Sequence, residues 1–209
     1  QPYSDGPAFV YQLYRRGGWS AVNDAYANPP ASTEQVIHPE KYPEEGPVDV
    51  SVADRSGPAW SRFDLRSNAE TMGEVTLFAM LYHNGAVERD LAADVTPLSP
   101  YDYSHPASAG WAGDRVVPYR NEAGENGYVY RIAFDSAADA REFEGAYRTV
   151  LTEELGGEVR GDAAGPGRVI RIPEDRPYGD AFRVYRQGDT VTIVNAPSED
   201  GLDAVHAPE

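Results

Sequence analysis

Four histidines, His38, His83, His105 and His206, and no cysteine are the residues with which this chain of 209 could bind a metal or build a nucleophile site. No two of the histidines lie three or four residues apart, so no helix can present a pair of imidazoles on one face. The H-E-x-x-H arrangement that holds zinc beside a water-activating glutamate is absent. His83 ends an apolar run, where C-terminal capping and the helix dipole account for it. His105 precedes a proline in a loop and His206 lies near the C-terminus; both read as solvated. His38 differs, because Pro39 restricts it to extended backbone and Glu34, Glu40, Lys41 and Tyr42 flank it. An imidazole and a phenol held on such a turn can donate hydrogen bonds to a developing oxyanion. His38 and Tyr42 are therefore the candidate catalytic contacts, with Glu34 and Glu40 as candidates for orienting the ring and binding substrate. The competing reading has His38 capping backbone carbonyls between two helices.

Trp111-Ala112-Gly113-Asp114-Arg115 is the second unusual segment. Trp111 and Asp114 can be read as substrate contacts, or as a buried indole anchoring the next strand beside a turn around Gly113. No nucleophile elbow, Walker loop or dinucleotide fingerprint is present. The glycine-rich stretch 161–167 follows a helix and precedes a strand, the reverse of the order that cradles phosphate.

The elements that must position these residues follow from periodicity. Phe9, Val10, Leu13 and Tyr14 mark one helix face that Gly17-Gly18 ends, and Trp19, Val22 and Tyr26 mark a second helix that Pro29-Pro30 ends, a helix pair. Ser32-x-x-Gln35 has capping-box spacing and opens a short helix before the His38 turn. Residues 43–60 read as an irregular link with a short strand at 48–52. From Asn68, the series Met72, Val75, Phe78, Tyr82 predicts the most apolar helix, followed by a weaker helix over 87–95 and a loop over 96–106. Strands are expected at 115–120 and 128–134 around a seven-residue loop, then a helix capped by Ser136, then strands at 168–172, 182–186 and 190–194. The expectation is an α+β fold, with N-terminal helices followed by a small, mostly antiparallel sheet packed on one long helix. Residues 1–196 form a single domain, helical over 1–95 and sheet-rich over 111–196, and 197–209 a flexible acidic tail.

Net charge narrows the partners. Thirty-four acidic residues against 18 basic ones leave −16, which argues against nucleic acid, whose phosphates need a basic surface. Lys41 is the only lysine, the other basic residues being arginine. That pattern suits a halophile, since at molar salt the screening length falls to about 3 Å and a dense carboxylate surface costs little repulsion; a GC-rich genome with an ordinary acidic domain is the alternative. No run of 18 apolar residues offers a transmembrane helix. The opening Gln1-Pro2 reads as a mature form, a proteolytic product or a cut piece.

The run Phe9-Val10-x-x-Leu13-Tyr14-x-x-Gly17-Gly18-Trp19-x-Ala21-Val22-Asn23-x-Ala25-Tyr26-x-x-Pro29-Pro30-x-Ser32-Thr33-Glu34-Gln35-Val36-Ile37-His38-Pro39-Glu40-Lys41-Tyr42 resembles a segment of a family of secreted or lipid-anchored, zincin-like zinc metallopeptidases from bacteria and haloarchaea. Gly110-Trp111-Ala112-Gly113-Asp114-Arg115, Phe134-Asp135 and Asp139-Ala140-x-x-Phe143 resemble the C-terminal part of the same family. The resemblance implies an H-E-x-x-H portion upstream of the segment that corresponds to Gln1 onward. Zinc would then belong to the parent protein, with no metal ligand and no cofactor in this chain. It implies a non-catalytic C-terminal portion that supplies substrate-side wall residues, His38 and Tyr42 among them, at an extracellular or cell-envelope location. Its partners would be the missing catalytic portion and a peptide. A stand-alone cell-surface binding or structural module, without enzymatic activity, is the other reading. A halophilic surface predicts a thermal midpoint that is higher in about 2 M than in about 0.1 M KCl, beyond the range where screening saturates; melts in the two salts check it.

Overall fold

Strands that are apolar on both sides of the pleat dictate a sheet buried on both faces. Tyr130, Ile132, Phe134, Phe182, Val184, Val191 and Ile193 point to one side and Val129, Ala181, Tyr185, Val194 and Ala196 to the other, and both sets are buried. Each face therefore needs a cover. The computed structural model, which describes residues 3–63, 69–88, 90, 98, 101–160 and 167–208, shows what supplies it.

The elements run α1 (Gly6–Ala27), α2 (Thr33–Ile37), β1 (Trp60–Arg62), α3 (Glu74–His83), β2 (Trp111–Asn121), β3 (Asn126–Phe134), α4 (Ala137–Thr149), β4 (Glu158–Arg160), β5 (Arg168–Arg171), β6 (Ala181–Gln187), β7 (Thr190–Ala196) and α5 (Glu199–Val205). The strands form one antiparallel sheet in the order β1-β2-β3-β7-β6-β5-β4. The fold is α+β. On the first face lie α3, through Leu77, Phe78 and Leu81, and α4, through Phe143, Tyr147 and the π-helical turn Val150–Glu154 that continues it. Ser136 caps α4 as its spacing predicts, its hydroxyl accepting from the amides of Ala138 and Asp139. No helix among the described residues is long and apolar enough to cross a membrane.

The second face corrects the expected tail. Residues 199–205 form α5, with Ser198 as its N-cap, and Leu202 and Val205 are fully buried against Val194, Ala196 and Trp60. Arg183, on the same side of β6, pairs with Asp203 of α5 at 2.6 Å. Acidity suggested solvation, but two apolar residues three apart are enough to dock one helix turn. His206, expected in solvent, is buried with it.

Other differences have similar causes. The expected helix pair is present, the α1 run being two helices that meet where Gly17 and Gly18 leave helical geometry, Gly18 at φ 63°, but its buried face differs. Phe9, Leu13 and Val22 pack with Tyr42 in a separate small core, while Val10, Tyr14, Trp19 and Tyr26 of the expected inner faces are exposed. No strand forms over 48–52, although the Val48 amide bonds the Ala112 carbonyl. Strands β1 and β4, three residues each, are too short to show a period. The helix expected from Asn68 begins at Glu74. Most of the helix expected over 87–95, the start of the loop over 96–106 and most of the glycine-rich stretch 161–167 lie outside the described residues.

If α5 is part of the core, Leu202→Ala should cost about 2–5 kcal/mol, the scale for emptying a buried leucine site. Urea unfolding of the variant checks this; a mobile tail would show no change.

Candidate functional site

Nine residues after the capping Ser32, the chain places one ammonium among three carboxylates. Ser32 Oγ accepts from the Gln35 amide at 3.2 Å and starts α2; Gln35 Oε1 accepts from the Ala31 amide, and its Nε2 donates to the Glu45 carbonyl. The capping box therefore also ties α2 to the far end of the following turn. Within that turn Lys41 Nζ lies 2.6 Å from Glu34, 2.8 Å from Glu45 and 2.7 Å from Asp135. Glu34 is buried, and Glu45 and Asp135 are exposed. Burial works against the lysine's charge, but its hydrogen bonds to Asp135, Glu34 and Glu45 outweigh it and hold the ammonium protonated. For Glu34 burial is the largest influence and wins over Lys41, with Glu74 and Asp135 adding to it, so its carboxyl is pushed up to about 6.

Those three carboxylates are the one group among the described residues with metal-ligand spacing. They do not fit zinc. The donors are all oxygen, no imidazole joins them, and Lys41 already neutralises the space between them.

His38 closes α2 and faces α3. Its Nε2 is 3.1 Å from Glu74 Oε1, and its Nδ1 is 3.6 Å from Glu40 Oε1. Glu74 opens α3 and is fully buried; its Oε2 has no partner among the described residues. The ring is thus oriented by a carboxylate, and the reading in which it caps backbone carbonyls does not describe it. Glu34, expected to orient the ring, belongs to Lys41. The bond to Glu74 raises the His38 pKa above its ordinary 6.5; burial and Lys41 oppose it, and the charges of Glu74 and Glu40 assist. Sequence reasoning passes over Glu74, because a glutamate in the first turn of a helix is already explained by the dipole.

Tyr42 does not join His38 at an open surface. Its ring packs edge-on against Phe9, 5.2 Å between centroids, and its hydroxyl donates to the Asn28 carbonyl, so the phenol locks the turn onto α1. His38 instead opens onto a recess of about 130 Å³ lined by Asp5, Ile37, Tyr101, Asp102, Tyr103 and Ser104.

Trp111 and Asp114 are joined by a register irregularity. Residues three apart in a regular strand face opposite sides, but the pairing of β2 with β3 slips by one residue between Trp111 and Gly113. The bulge returns both side chains to one side, and Trp111 Nε1 donates to Asp114 Oδ2 at 2.8 Å. Asp114 also accepts from the amides of Met72 and Gly73, each at 2.8 Å, and from the Tyr130 hydroxyl at 3.3 Å. Four donors consume the carboxylate, and both residues are buried. Their role is to fix the start of α3 and so the position of Glu74. They also lie along a recess of about 480 Å³ where Ser32 and Thr33 meet Val48, Thr71 and Arg115.

Two groups here bind their proton more tightly folded than unfolded. Their stabilisation is present at low pH and lost as pH rises, for Glu34 between its ordinary 4.5 and about 6, and for His38 from 6.5 upward through its raised folded pKa. Glu34→Gln should flatten the lower part of the pH dependence of the thermal midpoint between about pH 4.5 and 8, and His38→Gln the upper part, as melts in a buffer series will show.

No curated protein and no solved structure matches the chain. Residues 61–206, which hold Glu74, Trp111 and Asp114 and begin within β1, match a domain of unknown function, DUF8575; His38 and Lys41 precede the matched segment. By a match that spans more than half its length, the chain belongs to the DUF8575 family.

Proposed function

We propose that the chain is the non-catalytic C-terminal portion of an envelope-associated, metallopeptidase-like protein, and that it supplies a wall of a peptide cleft. The observation that carries this reading is the His38–Glu74 pair. A half-buried imidazole is held by a fully buried carboxylate at 3.1 Å and borders a recess. With Nε2 held by Glu74, Nδ1 is the nitrogen left to donate to a peptide carbonyl or a developing oxyanion, in place of the exposed Glu40 at 3.6 Å. Protonation, favoured by Glu74, makes it a donor at both nitrogens. The polar lining of the recess, with Asp5, Asp102 and Ser104, suits main-chain amides of an extended peptide. Tyr42 supports the wall from behind through Asn28.

A stand-alone cell-surface binding module is the second reading. The observation in its favour is the larger recess, where Thr33 Oγ1 is buried without a partner among the described residues.

In the full-length parent protein, His38→Ala should lower turnover of a peptide substrate about 10²–10³-fold, the scale for removing one oxyanion donor, with zinc content unchanged and the melting temperature lowered because buried Glu74 loses its partner. Unchanged turnover together with a lowered melting temperature would assign His38 to structure alone and leave the binding-module reading.

A further inference from the structure

Several partly or fully buried arginines of this chain are matched to carboxylates: Arg62 to Asp54, Arg148 and Arg186 to Glu144, Arg171 to Glu174, and Arg183 to Asp203. Two half-buried arginines break the pattern. Arg115 and Arg131 have no carboxylate partner among the described residues, and they stand directly opposite each other on β2 and β3. Side chains so paired share one face of the sheet, and like charges there are destabilising. Arg131 donates to the Ser51 carbonyl at 3.3 Å. Arg115 has no hydrogen-bond partner among the described residues, in a chain with nearly two carboxylates for every cation.

Arg115 lines the recess of about 480 Å³ where Ser32 and Thr33 meet β2, a size that suits a small ligand. The carboxylates of that recess leave its charge unanswered. Asp49 is exposed and forms no ion pair with it, and Asp114 is taken by its four donors. Hydroxyls line the same recess. Ser32 Oγ accepts from the Gln35 amide and keeps its own proton for another acceptor. Thr33 Oγ1 is buried with no partner among the described residues, the kind of group that a bound ligand would satisfy.

We propose that this recess is a carboxylate-binding site, in which the Arg115 guanidinium takes the carboxylate of a small acid and the Ser32 and Thr33 hydroxyls take the polar groups beside it. Guanidinium and carboxylate match through two parallel hydrogen bonds, and one negative charge offsets one arginine. A phosphate dianion would bring a second negative charge beside Asp49, on a body already at −16. Arg131, directly opposite, adds to the positive potential that holds the ligand. The carboxylate is that of a peptide C-terminus or of a free sugar acid, one chemistry from two sources. The inference gives the binding-module reading its ligand class and does not rest on the peptide-wall reading, since His38 closes α2 where Thr33 opens it.

The experiment follows amide and indole resonances of the isotope-labelled full chain as N-acetyl-alanyl-alanine, its C-terminal amide or galacturonate is added. Saturable shifts at the amides of Thr33, Thr71 and Gly113 and at the Trp111 indole, all on the recess, are expected with at least one of the two acids and not with the amide. Binding of the peptide acid alone assigns a peptide terminus, and of galacturonate alone a sugar acid. Arg115→Gln should weaken binding about 10–100-fold, the scale of a hydrogen bond to a charged group. Arg115→Lys, which keeps the charge but not the fork, should weaken it by less. Because Arg131 faces it, the melting temperature of Arg115→Gln should hold or rise. No saturable shift with either acid, or an affinity that both Arg115 variants leave unchanged, overturns the proposal. Equal shifts from the amide would also overturn it, while leaving the binding-module reading in place.

Discussion

The buried carboxylate of Asp114 is the constraint on which the arrangement depends. Four donors from three separate segments converge on it: the indole of Trp111 from its own strand, the phenol of Tyr130 from β3, and two amides at the start of α3. Hydrogen bonds to a charged acceptor contribute about 1.5–3 kcal/mol each, and a buried charge missing one partner is expensive, so the set is held together or not at all. Burial first, and then the Asp114 charge, push the Tyr130 phenol well above its ordinary value, which keeps it a donor. The bulge in β2 is the geometric condition for the whole set, since without it Trp111 and Asp114 would face opposite sides of the sheet. Because the amides of Met72 and Gly73 are fixed, Glu74 enters α3 at one place only, and His38 is oriented in turn.

A chain with 34 carboxylates and one lysine uses that lysine where a mobile counterion would otherwise be needed. Glu34 is buried and could not remain charged alone; removing the partner of a buried ion costs about 3–5 kcal/mol. Glu45 and Asp135 are exposed, so their pairs with Lys41 add little by themselves. What they add is geometry. Asp135 follows β3, and its bond to Lys41 fastens the turn after α2 to the sheet. The segment that carries His38 is thereby held to the family domain at Glu74 and at Asp135, two points on different elements.

The two halves of the molecule differ in how much of them could be read from periodicity. Strands β3, β6 and β7 show as short β-branched and aromatic runs, and Ser136, with Phe143 and Tyr147 on one face, marks α4 without ambiguity, because both signals lie within a single element. Helix α1 misleads for the opposite reason: its apolar residues cover most of its circumference, and only packing against Tyr42 decides that Phe9 and Leu13 go in while Tyr14 and Trp19 stay out. Residues 199–205 read as tail because seven residues with three acidic side chains show too little period to outweigh their charge.

The amino-acid sequence by itself determined the α+β class, the Ser32 and Ser136 caps, the turn at His38–Pro39, and the absence of any imidazole pair at helical spacing, since each depends on residues within a few positions of one another. The partners of the singled-out residues were decided by tertiary structure alone. Lys41 finds Asp135 across 94 positions, His38 finds Glu74 across 36, and Met72 and Gly73 find Asp114 across 42 and 41. A carboxylate's sequence neighbours do not specify which donor will reach it; that depends on the sheet register, on one bulge, and on where a helix begins, which are set by packing over the whole chain.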